Sequence, residues 1–294
     1  MAGLVSSGQI GAPHEESRFV ASVHRRVLPG FALSLGFTIF YLSLVVLLPL
    51  AAVVIKSSSL SLEQYWSAVA SPRAQAAYLL TFGTSLLAAG INVCIGLLLA
   101  WVLVRYRFPG KALLDSLVDV PFALPTAVAG LVYSSLYVET GWFGQFLVPL
   151  GIQAAYTRLA IVLVLVFTGL PFVVRTVQPV LESLDVEIEE AAASLGANRW
   201  QTFRYVLFPM LTPALLTGFS LAFARALGEY GSVVFVSGNI QFQTEIAPVL
   251  IVARLEEFAY GEASAIASVL LLLSFVMLVV INLLQWWSRR SEVG

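Results

Sequence analysis

LESLDVEIEEAAASLGANRWQTFRYVLFP, residues 181–209, is the stretch on which the reading of this chain turns. It lies between two long apolar runs, near residues 159–177 and 207–236, and is far more structured than a connector requires. Asp185 stands where a helix N-cap belongs, and Glu187, Glu189 and Glu190 place negative charge in the opening turns, where the helix dipole favours it. Ala191, Ala192 and Ala193 keep the surface of that helix small. Gly196 supplies a left-handed residue to end it, Asn198 can cap a second helix, and Pro209 marks the entry to the next apolar run. The spacing predicts an elbow of two short helices, and an alanine-faced helix held at a fixed angle suits close docking against a partner. Glu182 to Glu190 holds five carboxylates and no cation, which argues against a helix lying on an anionic membrane surface, where Lys and Arg would be favoured.

Outward from the elbow the chain is apolar. Of 294 residues 59% are hydrophobic and 11% charged, and the mean hydropathy is +0.89. An ordinary soluble domain carries about 25% charged residues, so lipid must cover most of this exterior. Crossing about 30 Å of hydrocarbon takes roughly 20 apolar residues as helix. Six runs qualify, near 31–55, 78–104, 117–138, 159–177, 207–236 and 263–287, which predicts an all-α integral membrane fold with six transmembrane helices. Runs such as Ala265 to Leu284 are apolar all round, unlike the alternating segments of a β-barrel. The polar start, with charges before any apolar run, predicts an uncleaved first span rather than a signal peptide. No repeat or composition shift marks a second domain. The expected organisation is an N-terminal tail over 1–29, one membrane domain over 30–288 containing the elbow at 182–209, and a C-terminal tail over 289–294.

Basic residues divide unequally between the two sides of such a bundle. Arg18, Arg25, Arg26, Arg105, Arg107, Lys111, Arg175, Arg199, Arg204, Arg289 and Arg290 fall on one side, and Lys56, Arg73, Arg158 and Arg254 on the other. The positive-inside rule then places both termini and the elbow in the cytoplasm, in a cell inner membrane. Trp142, Tyr156, Trp286 and Trp287 fall at span ends, where amphipathic rings favour the headgroup layer. The net charge of −1, with no basic stripe, excludes nucleic acid as a partner. A single cysteine, Cys94, excludes an intrachain disulfide and is expected as a buried apolar thiol.

Glu190-Ala191-Ala192, three residues, Gly196, nine residues, Val206, one residue and Phe208-Pro209 resemble the EAA loop of binding-protein-dependent ABC importers, with Val206 in place of Ile and Phe208 in place of Leu. The resemblance extends over nearly the whole chain to the sulfate/thiosulfate permease T-subunit family. It is carried by RVLPGF (26–31), RYRFPGK (105–111), PFALPTAVAG (121–130), PFVVRTVQPVLE (171–182), ALGEYGSVVF (226–235) and ASAIASV (263–269). It implies a type I importer permease fold in which the elbow is the coupling helix, with Glu190, Ala191, Ala192, Gly196 and Pro209 engaging an ATPase. It also implies a second, similar permease subunit in a heterodimer, two ABC ATPase subunits that bind ATP and Mg, an extracytoplasmic sulfate-binding protein, and sulfate or thiosulfate as cargo. Molybdate/tungstate importer permeases share the Leu227 to Gly231 element and form the alternative. The chain has no Gly-x4-Gly-Lys-Ser/Thr phosphate loop, since its Gly110-Lys111 is followed by Ala112, so no cofactor is expected within it.

Arg225 and Glu229 fall in the fifth apolar run, where an unpaired central charge costs about 2.5–3.5 kcal/mol on insertion scales. Two readings stand: a structural pair, or Arg225 offering positive potential to a passing dianion while Glu229 keeps it from becoming a trap. Arg preceding Glu is the weaker order for a helical pair, which predicts a further partner for each. Pro121 and Pro125 interrupt the third run, and Thr126, Ser134 and Ser135 either line the pathway there or bond their own backbone. The segment from Ser237 to Glu262, with Glu245, Arg254, Glu256 and Glu257, is polar enough to face water or a docking protein.

A membrane-embedded enzyme is disfavoured because both histidines precede the first span and Cys94 has no companion ligand, which also leaves no metal site. A self-sufficient channel would need a filter loop or rings of charge. A secondary anion transporter would suit the interrupted third run but would leave the elbow without a purpose.

Overall fold

The computed structural model describes residues 31–291, so the expected N-terminal tail lies outside them. The chain forms two units, Met1–Pro49 and Leu50–Gly294. The first contains most of the opening apolar helix, α1 (Leu33–Ser57), which includes a π turn at Ser43–Leu47.

In the second unit the order is α2 (Leu62–Val69), α3 (Pro72–Arg105), α4 (Lys111–Ala123), α5 (Thr126–Tyr137), α6 (Arg158–Ser183), α7 (Val186–Ser194), α8 (Arg199–Leu227), α9 (Ala247–Glu256) and α10 (Tyr260–Ser291), with short helical turns between some of them. Among the described residues the regular structure is all helical. Five helices, α1, α3, α6, α8 and α10, are long and apolar enough to cross a membrane, and α4 with α5 makes a sixth only as a pair bent by 112°.

That bend shows how the third run over 117–138 is interrupted: the helix breaks at Pro125 and does not merely kink. Pro125 has no N–H to donate and pushes Leu124 into extended backbone (φ −84°, ψ 126°), so α4 stops and α5 restarts in a new direction. The fifth span is corrected at both ends. Its helix begins at Arg199, ahead of Pro209, and stops at Leu227, leaving 228–236 as a turn and a four-residue helix, Val233–Val236.

The core is the packing of α3, α6 and α8. Lipid offers no hydrophobic drive for helices to associate, so close approach through small residues must supply the contact. Val173 of α6 is the pivot. A β-carbon on Gly96 of α3 would come 2.7 Å from Val173 Cγ1, and one on Gly218 of α8 would come 2.9 Å from its Cα. Val173, Val174, Val177 and Leu181 of α6, Leu103 of α3 and Leu211 and Phe223 of α8 fill the space around it. Cys94 lies on the opposite, exposed face of α3, not buried as expected, because the packed face is taken by Ala89, Asn92, Gly96 and Ala100.

At the end of α3 away from Arg105, Arg73 forms a two-pronged bond with Glu245, 2.8 Å through Nε and 2.7 Å through Nη2. Ala247 N–H donates to Thr81 Oγ1 at 2.8 Å. These contacts hold the start of α9 onto α3, and Tyr65 Oη to Ser268 Oγ, 3.1 Å, ties α2 to α10.

Candidate functional site

The elbow forms as its residues require. Asp185 occupies the N-cap of α7 in extended backbone, but its side chain makes no capping bond, contrary to expectation, and its carbonyl accepts from Ile188 N–H at 3.2 Å. At the other end Gly196 adopts φ +87°, Gly196 N–H donates to Ala193 O at 2.9 Å, and Ala197 N–H reaches back to Ala192 O at 3.0 Å. This double closure is a Schellman motif, and it needs a residue indifferent to left-handed backbone. Asn198 then opens α8 with a capping box: its Oδ1 accepts from Gln201 N–H at 2.9 Å, and Gln201 Oε1 accepts from Asn198 N–H at 2.8 Å. Two helix ends are thus satisfied within a few residues, which fixes the angle between them.

The elbow is fastened from behind. Glu189 pairs with Arg105 at the end of α3, and the Arg105 guanidinium lies 5.7 Å from the centre of the Trp101 ring. Trp101 meets Phe203 edge-on at 5.7 Å, and Phe203 in turn stacks on Trp200 at 5.8 Å. Its outer surface is open: Glu190, Ala191, Gly196 and Pro209 are exposed, with Ala192 half-buried. Val186, Trp200 and Tyr205 are also exposed, and Leu195 is 90% accessible. Large apolar side chains beside Glu187 and Glu190, carboxylates that pair with no cation among the described residues, form the kind of surface that another protein covers.

The second set of sequence-selected residues lies at the far end of α8, some 39 Å from the elbow at 1.5 Å per residue. Glu229 does not share a helix with Arg225, since α8 ends at Leu227, but the two still pair. Glu229 is 2% exposed, and its Oε1 also accepts from Ser232 N–H at 2.9 Å and Ser232 Oγ–H at 2.7 Å. Its partners are therefore an arginine and the turn it stabilises, while the Arg225 side chain remains 31% exposed. Thr126 packs on the same turn: a β-carbon on Gly231 would come 2.2 Å from Thr126 Oγ1, and one on Gly130 would come 2.4 Å from Ser232 O. The breaks of the third and fifth apolar runs are thus seated against each other. Ser134 and Ser135 stand apart, about 12 Å further along α5, and their hydroxyls donate to Leu131 O and Val132 O at 2.9 Å, satisfying their own helix.

Besides the Arg105–Glu189 pair and Arg254 with Glu257 and Glu262, two ionic groups were missed by sequence reasoning. One is Arg73 with Glu245. The other joins α6 to α4: Arg175 donates to Asp119 through Nε (2.8 Å) and Nη2 (2.7 Å), and to Asp115 Oδ1 and Gln178 Oε1 through Nη1 (both 2.7 Å). The available signal was Asp115 and Asp119, two carboxylates four apart on one helix face at the start of the third apolar run.

Comparisons with known proteins agree with this architecture. The profile of the family described as binding-protein-dependent transport system inner membrane component matches residues 92–291. The sulfate transport system permease protein CysT of Salmonella typhimurium is 53% identical over 270 residues, covering 92% of this chain and 98% of that one. The protein of the same name from Synechocystis is 54% identical over 253 residues, 86% of this chain and 88% of that one. In solved structures, a chain of a bacterial alginate ABC transporter, in complex with an alginate pentasaccharide-bound periplasmic protein, superposes with a TM-score of 0.70 at 17% identity, covering 85% of this chain and 92% of that chain. This chain belongs to the family of binding-protein-dependent transport system inner membrane components, among the sulfate transport system permeases.

Proposed function

We propose that this chain forms half of the translocation pathway of an ATP-driven importer of sulfate or thiosulfate and couples it to separate ATPase subunits through the elbow. The observation that carries the reading is the elbow itself: closed at both ends, braced on α3, and open outward through Leu195, Trp200 and Glu190. The sulfate-transport naming of relatives about half identical to it supports the cargo.

In this reading the elbow and both termini face the cytoplasm. A second permease subunit completes a heterodimeric pathway, two ABC ATPases bind ATP and Mg, and an extracytoplasmic protein delivers the anion. No cofactor is assigned to this chain. Closure of the ATPases displaces the elbow, whose Gly196 closure and Arg105–Glu189 brace pass the movement to α3 and α8 rather than absorbing it. Glu190, Ala191, Ala192 and Gly196 make the ATPase contact, and Pro209 follows it in α8. Along the pathway Arg225 supplies positive potential, with Glu229 holding the turn behind it and moderating the charge. Thr126 belongs to the same layer of the pathway, and Ser134 and Ser135 to its lining.

Reconstitution of the four kinds of subunit into vesicles tests this. Labelled sulfate is expected to accumulate only with ATP and the binding protein, and excess thiosulfate to compete where molybdate does not. Accumulation driven by an ion gradient without ATP would return the chain to the secondary transporters, and competition by molybdate alone would replace the cargo.

A further inference from the structure

The end of the protein opposite the elbow holds a slot that the transport reading does not use. It is an open groove between α3 and α6 with a volume of about 620 Å³, lined by Leu79, Gly83, Leu87 and Ile91 of α3 and Leu159 and Val162 of α6. From Ala76 to Ile91, α3 rises about 22 Å at 1.5 Å per residue, while half of a hydrocarbon core is about 15 Å deep. The slot is therefore long enough to run from a headgroup layer to the middle of a bilayer.

Arg158, the first residue of α6, stands at its mouth. Its Nε donates to Gln243 O at 2.8 Å, which fixes the guanidinium. Arg73 and Arg254, the other arginines of this end, are paired with carboxylates, whereas among the described residues none pairs with Arg158. Beyond the mouth lies a second hollow of about 520 Å³ that shares Arg158 and Leu159 with the slot and is lined by Gln153, Thr157, Gln243 and Thr244. Arg158 thus stands where the two hollows meet, with an apolar lining on one side and amide and hydroxyl groups mixed with apolar ones on the other, as a phosphate between an acyl chain and a headgroup would require.

Gly83 adds an independent observation. Glycine weakens the interior of a helix. Here a β-carbon would meet nothing within 4 Å, so no neighbour in the chain requires its absence. What the missing side chain does is widen the slot midway along its length.

We propose that this slot binds one phospholipid of the leaflet opposite the elbow, with its phosphate on Arg158 and one acyl chain passing Gly83. The site depends on the chain spanning a bilayer and not on what it transports.

The test uses the full-length chain, purified alone and with its partner permease, delipidated in mild detergent and titrated with phosphatidylglycerol while native mass spectrometry counts bound lipid. One tightly held lipid per copy is expected. Arg158→Gln should weaken it about tenfold, the loss of a charge-assisted contact. Gly83→Leu, whose β-carbon meets no neighbour, should abolish retention while the chain stays monodisperse. Diacylglycerol, which lacks the phosphate, should bind as weakly as phosphatidylglycerol binds Arg158→Gln, and inorganic phosphate should not displace the lipid. No retained lipid, retention unchanged in either variant, displacement by inorganic phosphate, or a photocrosslinker at Leu87 that captures the partner permease instead of lipid would each overturn the proposal. Neither ATP nor sulfate enters the measurement, so its failure is separable from failure of the importer reading.

Discussion

The two ends of α8 treat charge in opposite ways. At the elbow Glu187 and Glu190 are exposed and pair with no described cation, next to exposed Leu195 and Trp200. At the far end Glu229 and Glu245, 2% and 4% exposed, are each saturated by an arginine, and Glu229 by a serine as well. A buried carboxylate must find its partners inside the chain, because desolvating an unpaired charge is expensive. An exposed one beside large apolar groups can leave its partner to another protein. The buried carboxylates of the far end are thus satisfied within one chain, and the exposed ones of the elbow are not.

The contrast is most sharply broken by mutation at the far end. Glu245→Ala leaves Arg73 unpaired and should destabilise the purified subunit by about 3–5 kcal/mol. Glu190→Ala should change stability by no more than about 0.5 kcal/mol while lowering transport-coupled ATPase. Thermal unfolding of the two variants in one detergent compares them directly, and equal losses would erase the distinction. Gly196→Val comes next. Forcing a β-branched residue into left-handed backbone costs about 1–2 kcal/mol, and since a β-carbon there meets nothing within 4 Å the strain is purely conformational. Membrane insertion should be intact and coupled ATPase abolished, with Gly196→Asn retaining most of it; a Val variant that couples normally counts against the elbow.

Arg225→Gln, compared at equal assembly, should slow sulfate uptake by about tenfold, the scale of one charged hydrogen bond, and wild-type uptake would leave Arg225 with a structural role alone. Arg105→Gln removes a partly buried pair, its side chains 19% and 32% exposed, whose loss costs at least as much as that of an exposed one, about 0.2–1 kcal/mol, so ATP hydrolysed per sulfate moved should rise by about fivefold. Ser134→Ala and Ser135→Ala should alter uptake least, within about twofold, because each hydroxyl is already spent on its own helix at about the stability cost of an exposed bond. Near-wild-type uptake fits a lining whose hydroxyls do not bond the anion, and a large loss in either would make that hydroxyl an anion ligand.

The elbow was legible in sequence because its signals are local. A glycine at the end, an Asn three residues before a Gln, and acids in a first turn all act within one or two turns of helix. Pro125 announced a break in the third run, but hydropathy counts composition, not backbone direction, so the 112° turn between the two halves of 117–138 was not legible. For the same reason the apolar residues 233–236 extended the fifth run past the point where α8 stops. The ionic groups were invisible because their members are distant in sequence: Arg73 and Glu245 are 172 residues apart, and Arg175 and Asp115 are 60 apart. Cys94 was misplaced because apolar surroundings in a membrane protein point to lipid as readily as to a core.

The π turn at Phe203–Leu207 links the elbow to the body of α8, with Phe208 N–H bonded to Phe203 O five residues back. A widened turn of this kind holds one residue more than an ordinary one, and each residue of an α-helix turns the chain by about 100°. The bearing of the elbow around the axis of α8 is therefore set by a single inserted residue, like a weathervane fixed by one notch. A chain that lost that residue would keep every hydrophobic segment and still aim its elbow more than a quarter-turn away from where it now points.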